Sequence, residues 1–139
     1  MSEPLLPAGW KRPKGYANGI AAGGTLIFVA GQIGWLPEGR FASDDFVQQV
    51  KQALLNVRAV LEAGGASPEH LVRMTWFVTD NEEYRTNLAA IGGVYRDVMG
   101  RNFPAMTLVE VKGLLEDRAK VEIEATAVIP APPPPDLGH

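Results

Sequence analysis

Cysteine is missing from this chain altogether, which excludes disulfides, thiolate nucleophiles and cysteine-ligated metals together. Histidine is nearly missing as well. His70 and His139 are the only two, they share no metal-ligand spacing, and His70 reads as a structural or solvent-facing residue in a helical turn. Serine occurs only at Ser2, Ser43 and Ser67, in a tail and at helix starts, so no serine triad is expected. The glycine-rich stretches lack a P-loop lysine and serine, and no dinucleotide fingerprint follows a strand. Neither a metal nor an organic cofactor is therefore expected. No apolar run approaches the roughly 20 residues of a membrane span. Nor is there a basic block in a chain of net charge -3 and pI about 5.4, and nucleic-acid binding needs clustered Lys and Arg. The opening Met1-Ser2-Glu3-Pro4 has neither the basic lead nor the apolar core of a secretory signal. The expectation is a soluble cytoplasmic protein without a nucleic-acid or membrane partner.

What is present fits one domain over residues 1–130, followed by a proline-rich flexible tail at 131–139, since 139 residues can bury a single core. Residues 1–13 hold three prolines without a period and read as irregular. The stretch 15–21, the turn signal Gly23-Gly24 and the β-rich run 25–33 predict an antiparallel hairpin. A helix follows, with Ser43 or Asp44 as its cap, Phe46, Val50, Leu54, Val57 and Leu61 on one face, and Gly64-Gly65 as its stop. Ser67-Pro68 opens a short helical turn. Residues 72–78 form a strand with Met74, Trp76 and Val78 on one side and Arg73, Thr75 and Phe77 on the other. Asp80 or Asn81 caps a second helix with the stripe Tyr84, Leu88, Ile91 and Tyr95, ended by Gly100. Strands near 102–111 and 120–128 complete the order β-β-α-β-α-β-β. This is an α+β layout, one mixed sheet with two helices on one face. Apolar residues occupy both sides of several strands, so the other face needs cover, and self-association is the simplest.

With other chemistries removed, carboxylates on strands remain. Glu122 and Glu124 alternate with Val121, Ile123 and Ala125 and share a face, while Glu110 sits between Val109 and Val111. The pattern fits a solvated sheet face. The sharper alternative is a carboxylate held at a subunit seam, where it would activate water or take a proton. Tyr16, just ahead of the first apolar strand, either packs or offers its hydroxyl to a ligand. Trp35 stands at a strand exit, a common interface position for an indole, and Trp76 reads as core.

The segments Val29-Ala30-Gly31-Gln32-Ile33, Leu61-Glu62-Ala63-Gly64-Gly65, Phe77-Val78-Thr79-Asp80, Phe103-Pro104-Ala105, Val109-Glu110-Val111 and Glu122-Ile123-Glu124-Ala125 resemble, in order and spacing, the YjgF-like reactive intermediate deaminase (Rid, endoribonuclease L-PSP) family. The resemblance runs from about Gly15 to Pro130. It implies a chorismate-mutase-like fold, a homotrimer and small-molecule clefts between adjacent subunits. Family members of the best-understood kind hydrolyse enamines and imines such as 2-aminoacrylate to keto acids and ammonia without a cofactor. In them an arginine grips the substrate carboxylate and a glutamate positions water, a division that lets orientation carry much of the catalysis. By that resemblance Tyr16 lines the cleft and Gly31 belongs to its framework; Gly31 and Thr107 are counted with the candidate ligand contacts, as is Trp35 from its place at a strand exit. Glu122 is the water-positioning glutamate if one extra residue is allowed between Leu114 and Lys120. The sequence departs from the pattern at Ala30 for a serine, Ala89 for an asparagine, Leu108 for a cysteine and, above all, Met106 for the arginine.

A thioether offers neither charge nor N–H. Loss of a charge-assisted carboxylate contact costs about 1.5–3 kcal/mol, or roughly one to two decades in binding or rate. Arg101 and Arg118 are cations nearby in sequence that would serve as displaced replacements, although Arg118 also fits a pairing with Asp117 or Glu116. The leading expectation is a divergent imine or enamine hydrolase with Glu122 handling water, acting on something other than 2-aminoacrylate. The alternative is a non-catalytic trimer that binds a small metabolite as a sensor or accessory protein. Ribonuclease or translation-inhibitor activity, labels long attached to the family, is poor chemistry for an acidic chain without a histidine pair.

Overall fold

The computed structural model describes residues 2–136 and 138; His139 lies outside the described residues. Its strands are β1 (Ser2–Leu5), β2 (Gly19–Ala22), β3 (Thr25–Gln32), β4 (Leu71–Val78), β5 (Ala105–Glu110) and β6 (Val121–Ile129). The helices are α1 (Phe46–Ala63), α2 (Asn81–Thr86) and α3 (Leu88–Met99). A four-stranded mixed sheet has the order β3-β6-β4-β5, and β1 and β2 form a separate antiparallel ribbon. β4 and β5 are parallel, joined by α2 and α3, and the other pairings are antiparallel. The α+β order expected from the sequence is present, with one strand added at the start.

Two local expectations are overturned. Residues 1–13 are not wholly irregular, because Ser2–Leu5 pairs with Gly19–Ala22, Pro4 opposite Ile20. Proline is tolerated there since both strands of a two-stranded ribbon are edges. The Gly23-Gly24 turn does not close a hairpin either. β2 pairs with β1, whereas β3 pairs with β6, Thr25 opposite Ile129. Gly24 is a corner between the two sheets. Its φ is 145°, and a β-carbon there would lie 2.0 Å from the Ile129 carbonyl oxygen.

α1 forms on the period seen in the sequence and buries Phe46, Val50, Ala53, Leu54, Val57 and Leu61 against β3, β6 and α3. Its cap is Asp45, which accepts from Gln48 N, and not Ser43 or Asp44. Ser43 Oγ instead accepts from Asp45 N, and Asp44 pairs with Arg118 at 2.8 Å. Three successive short polar residues all suit a cap, and only tertiary contacts choose among them. The second helix breaks at Asn87 (φ -117°, ψ 17°) into α2 and α3, with Asp80 capping α2. Of its expected stripe, Ile91 and Tyr95 are buried, but Leu88 is exposed.

One buried polar side chain ties these layers together. Gln49 is 1% exposed. Its Nε2 donates to the carbonyls of Ser43 and Arg118, at 3.1 and 3.0 Å, and its Oε1 accepts from Lys120 N at 2.9 Å. The helices cover only one face of the sheet. On the other, Leu26, Phe28 and Val109 are exposed, Phe28 by 73%.

Gly24→Ala is expected to destabilise the protein by about 2–3 kcal/mol, combining strain at a positive φ with a backbone clash. Gln49→Leu should cost about 1–3 kcal/mol, because three part-buried backbone groups lose their partner. Urea unfolding midpoints check both, with the solvent-facing Gln32→Ala as a near-neutral control.

Candidate functional site

The residues singled out from the sequence fall into two groups. Tyr16, Met106, Thr107 and Leu108 line one cavity of about 490 Å³ beside α2 and α3. Tyr16 is brought there by Ala17, whose N–H donates to Pro104 O at 3.0 Å and which bridges Ala105 at the start of β5. The Phe103-Pro104 turn is fixed in its turn by Tyr95. That ring stacks on Phe103 at 5.6 Å, and its hydroxyl donates to Asn102 O. Ala89 is not among the lining residues; its neighbour Leu88 is.

The second group gathers at the β3–β6 seam. The register shifts between Val29 and Gln32 against Ala125 and Ile123, a bulge that contains Ala30 and Gly31. A β-carbon on Gly31 would lie 2.7 Å from Glu122 Cδ, so the absence of a side chain at 31 is what gives the Glu122 carboxyl its place. Glu122 is half-buried, and among the described residues its carboxylate has no hydrogen-bond or ion-pair partner. Ala30 borders a shallow depression with Arg73, Thr75 and Glu124 on the uncovered sheet face. Trp35 belongs to neither group. It packs edge-on against Phe41 at 6.0 Å, and the Arg118 guanidinium lies over Phe41 at 5.3 Å.

Sheet geometry keeps the two groups apart within one chain. Glu122 pairs with Phe77, and Phe77 pairs with Val109, which puts Glu122 two strands, or about 10 Å, from β5. Met106 lies three residues further along β5, about 10 Å more. The faces differ as well. Met106 and Leu108 pack toward the core, whereas Glu122 points away from the buried Val121 and Ile123.

Neither displaced cation considered from the sequence reaches the cavity. Arg101 lines a separate groove with Arg12 and Glu69. Arg118 pairs with Asp44, and not with Asp117 or Glu116. Glu110 has a structural task, accepting from Asn81 N at 2.8 Å where α2 begins. Among the described residues no cluster of His, Asp and Glu gathers as metal ligands do.

Sequence reasoning missed the cavity's other walls. Trp76 and Tyr84 meet edge to face at 6.4 Å, and both line it together with Lys14 and Arg96. Among the described residues no carboxylate lines it, so its charge is positive. Trp76 is 4% exposed, and its indole N–H meets no acceptor among the described residues. The signal available was Gly92-Gly93, two glycines inside a helix where each costs roughly 1 kcal/mol relative to alanine, with Arg96 one turn beyond.

No helix is long and apolar enough to cross a membrane among the described residues. The profile of the family described as endoribonuclease L-PSP matches residues 10–129. A RutC family protein of Pyrococcus horikoshii is 35% identical over 129 residues, 91% of this chain and 98% of that one. A 2-iminobutanoate/2-iminopropanoate deaminase of Salmonella typhimurium is 34% identical over 113 residues, 81% of this chain and 86% of the relative. The crystal structure of YyfB from Yersinia pestis, a protein of the Rid family, superposes with a TM-score of 0.81 at 28% identity, covering 92% of this chain and 98% of that one.

Burial raises the pKa of both Tyr84 and Tyr95 above the ordinary 10.0. The folded state therefore favours the neutral phenols. The stability they contribute is complete below pH 10 and is lost as pH rises through the folded values. Thermal unfolding should show a midpoint that declines above pH 10, and Tyr95→Phe should flatten that decline.

Proposed function

This chain belongs to the endoribonuclease L-PSP family, in its Rid/YjgF group, and from that premise we propose that it is a divergent, cofactor-independent hydrolase of imines or enamines, working in clefts between the subunits of a homotrimer. The observation that carries this reading is Glu122. It is a half-buried carboxylate without a partner, seated in space that only a glycine at 31 leaves free. A carboxylate so placed is available to a water molecule and takes its proton as oxygen adds to the imine carbon. The carbinolamine then expels ammonia and leaves the carbonyl product, so the balance is one imine and one water to one ketone and one ammonia.

The cavity beside Met106 and the Glu122 carboxyl are too far apart to act together in one chain. Association through the uncovered sheet face would bury Leu26, Phe28 and Val109 and lets Glu122 of one copy meet the cavity of the next. The deaminase name of the Salmonella relative supports the reaction class. Met106 argues against the same small substrate, because the side chain that would hold a short carboxylate on β5 is apolar here. Met106 also favours the second reading, a trimer that binds a small metabolite without turning it over.

The test is release of ammonia and keto acid from imino acids generated in situ by an amino-acid oxidase, with the wild type, Glu122→Gln and buffer in parallel. We expect modest acceleration with 2-iminopropanoate, more with imino acids bearing bulky apolar side chains, and a loss of roughly 100-fold or more in Glu122→Gln. Ligand binding without acceleration in either form establishes the second reading instead.

A further inference from the structure

Met106 offers the cavity no cation where the family resemblance implies one, but the cavity's walls still carry positive charge. Arg96 lines it from α3 and Lys14 from the segment ahead of β2. Neither has an ion-pair partner among the described residues, as is also true of Arg73 and Arg101, so it is their place in the cavity wall that distinguishes them. Arg96 also has a defined path. A β-carbon on Gly92 would lie 3.5 Å from its Nη1, so the guanidinium folds back along the helix over a residue that carries no side chain. The rest of the wall is aromatic or apolar, with Tyr16, Trp76, Tyr84 and Phe103 presenting rings and Met106 and Leu108 replacing polar surface. The volume, about 490 Å³, falls in the range that encloses ligands of drug size and far exceeds a three-carbon acid.

We propose that Arg96, assisted by Lys14, is the anion-binding group of this cavity, and that the cavity takes a monocarboxylate carrying an aromatic or similarly flat apolar group. The carboxylate is gripped from the helix side and not from β5. A planar guanidinium pairs with it bidentately, and the apolar body lies over Met106 and Leu108 between the rings. This rests on the reading of the cavity as half of a substrate cleft, and it adds the class of substrate and the residue that selects it.

Calorimetric titration of the whole protein with 3-phenylpropanoate tests the proposal without requiring turnover, so a failure of the hydrolase reading leaves it standing. The controls are 3-phenylpropanamide, which lacks the charge, and propanoate, which lacks the ring. Phenylpropanoate should bind more tightly than either. Arg96→Gln should weaken it roughly 10- to 100-fold while leaving the amide unchanged, Arg96→Lys should restore part of the loss, and Lys14→Gln should have a smaller effect in the same direction. Arg96 is exposed and unpaired, so thermal unfolding of Arg96→Gln should match the wild type. Equal affinity for acid and amide, equal weakening of both by Arg96→Gln, or no binding of phenylpropanoate at millimolar concentration overturns the proposal.

Discussion

The amide of Gln49 is the interaction on which most of the architecture depends. Its three hydrogen bonds join α1 to the Ser43 loop and to the 118–120 backbone that leads into β6. β6 is a central strand, paired on one side with β3 and on the other with β4. A buried amide with every group satisfied sets the height and direction at which that strand enters, and apolar packing alone is non-directional. Asn56, two turns further along α1, does the same for the exit of β3, donating to Ile33 O and Trp35 O at 3.0 and 2.7 Å. Because β3 and β6 run antiparallel, two side-chain amides on one helix thus hold both strands at the same end of the seam, the end that contains Gly31 and Glu122.

The sheet then divides the chemistry by face. Side chains facing the helices close the core and build the aromatic cavity, while side chains facing away leave a carboxylate and a set of exposed apolar residues. Period-2 alternation enforces that division: no rotamer change moves Glu122 to the side of Met106. The apolar side chains of Ala30, Ala89, Met106 and Leu108 therefore do not act at one place. Met106 and Leu108 alter the cavity directly, Ala30 lies in the β3 bulge, and Ala89 sits beside the cavity without lining it.

Much of this was legible in the sequence, and the failures have physical causes. The stripe of α1 and the alternation in β4 and β6 were clear because burial on one face leaves a period. The pairing of β2 was not, because Gly23-Gly24 signals a change of direction without naming the next neighbour. The short strand at Ser2–Leu5 was hidden by proline, which counts against a strand locally and is harmless at an edge. Within the site, Tyr16, Met106, Thr107 and Leu108 converge as their motif suggested, but Trp35 does not join them, since its partner is Phe41 in the same loop region. Arg96 escaped notice because a charged residue beside an apolar stripe looks like any solvated helix position. Its significance lies in the cavity it lines together with Lys14 and Tyr16, residues about eighty positions away that only the fold brings beside it.

The pairing of β3 with β6 also sets a timetable. β3 spans Thr25–Gln32 and its ladder partner spans Val121–Ile129, so during synthesis the early strand waits for about a hundred residues before its neighbour emerges. Over that interval Leu26, Val29 and Phe28 stand on an eight-residue segment with no ladder on either edge. The helices can form beforehand, but the central strand that would organise them is the last to arrive. Long-range pairing of this kind slows folding relative to a chain of local hairpins. It leaves the nascent protein's most adhesive surface open until nearly the whole domain has left the ribosome.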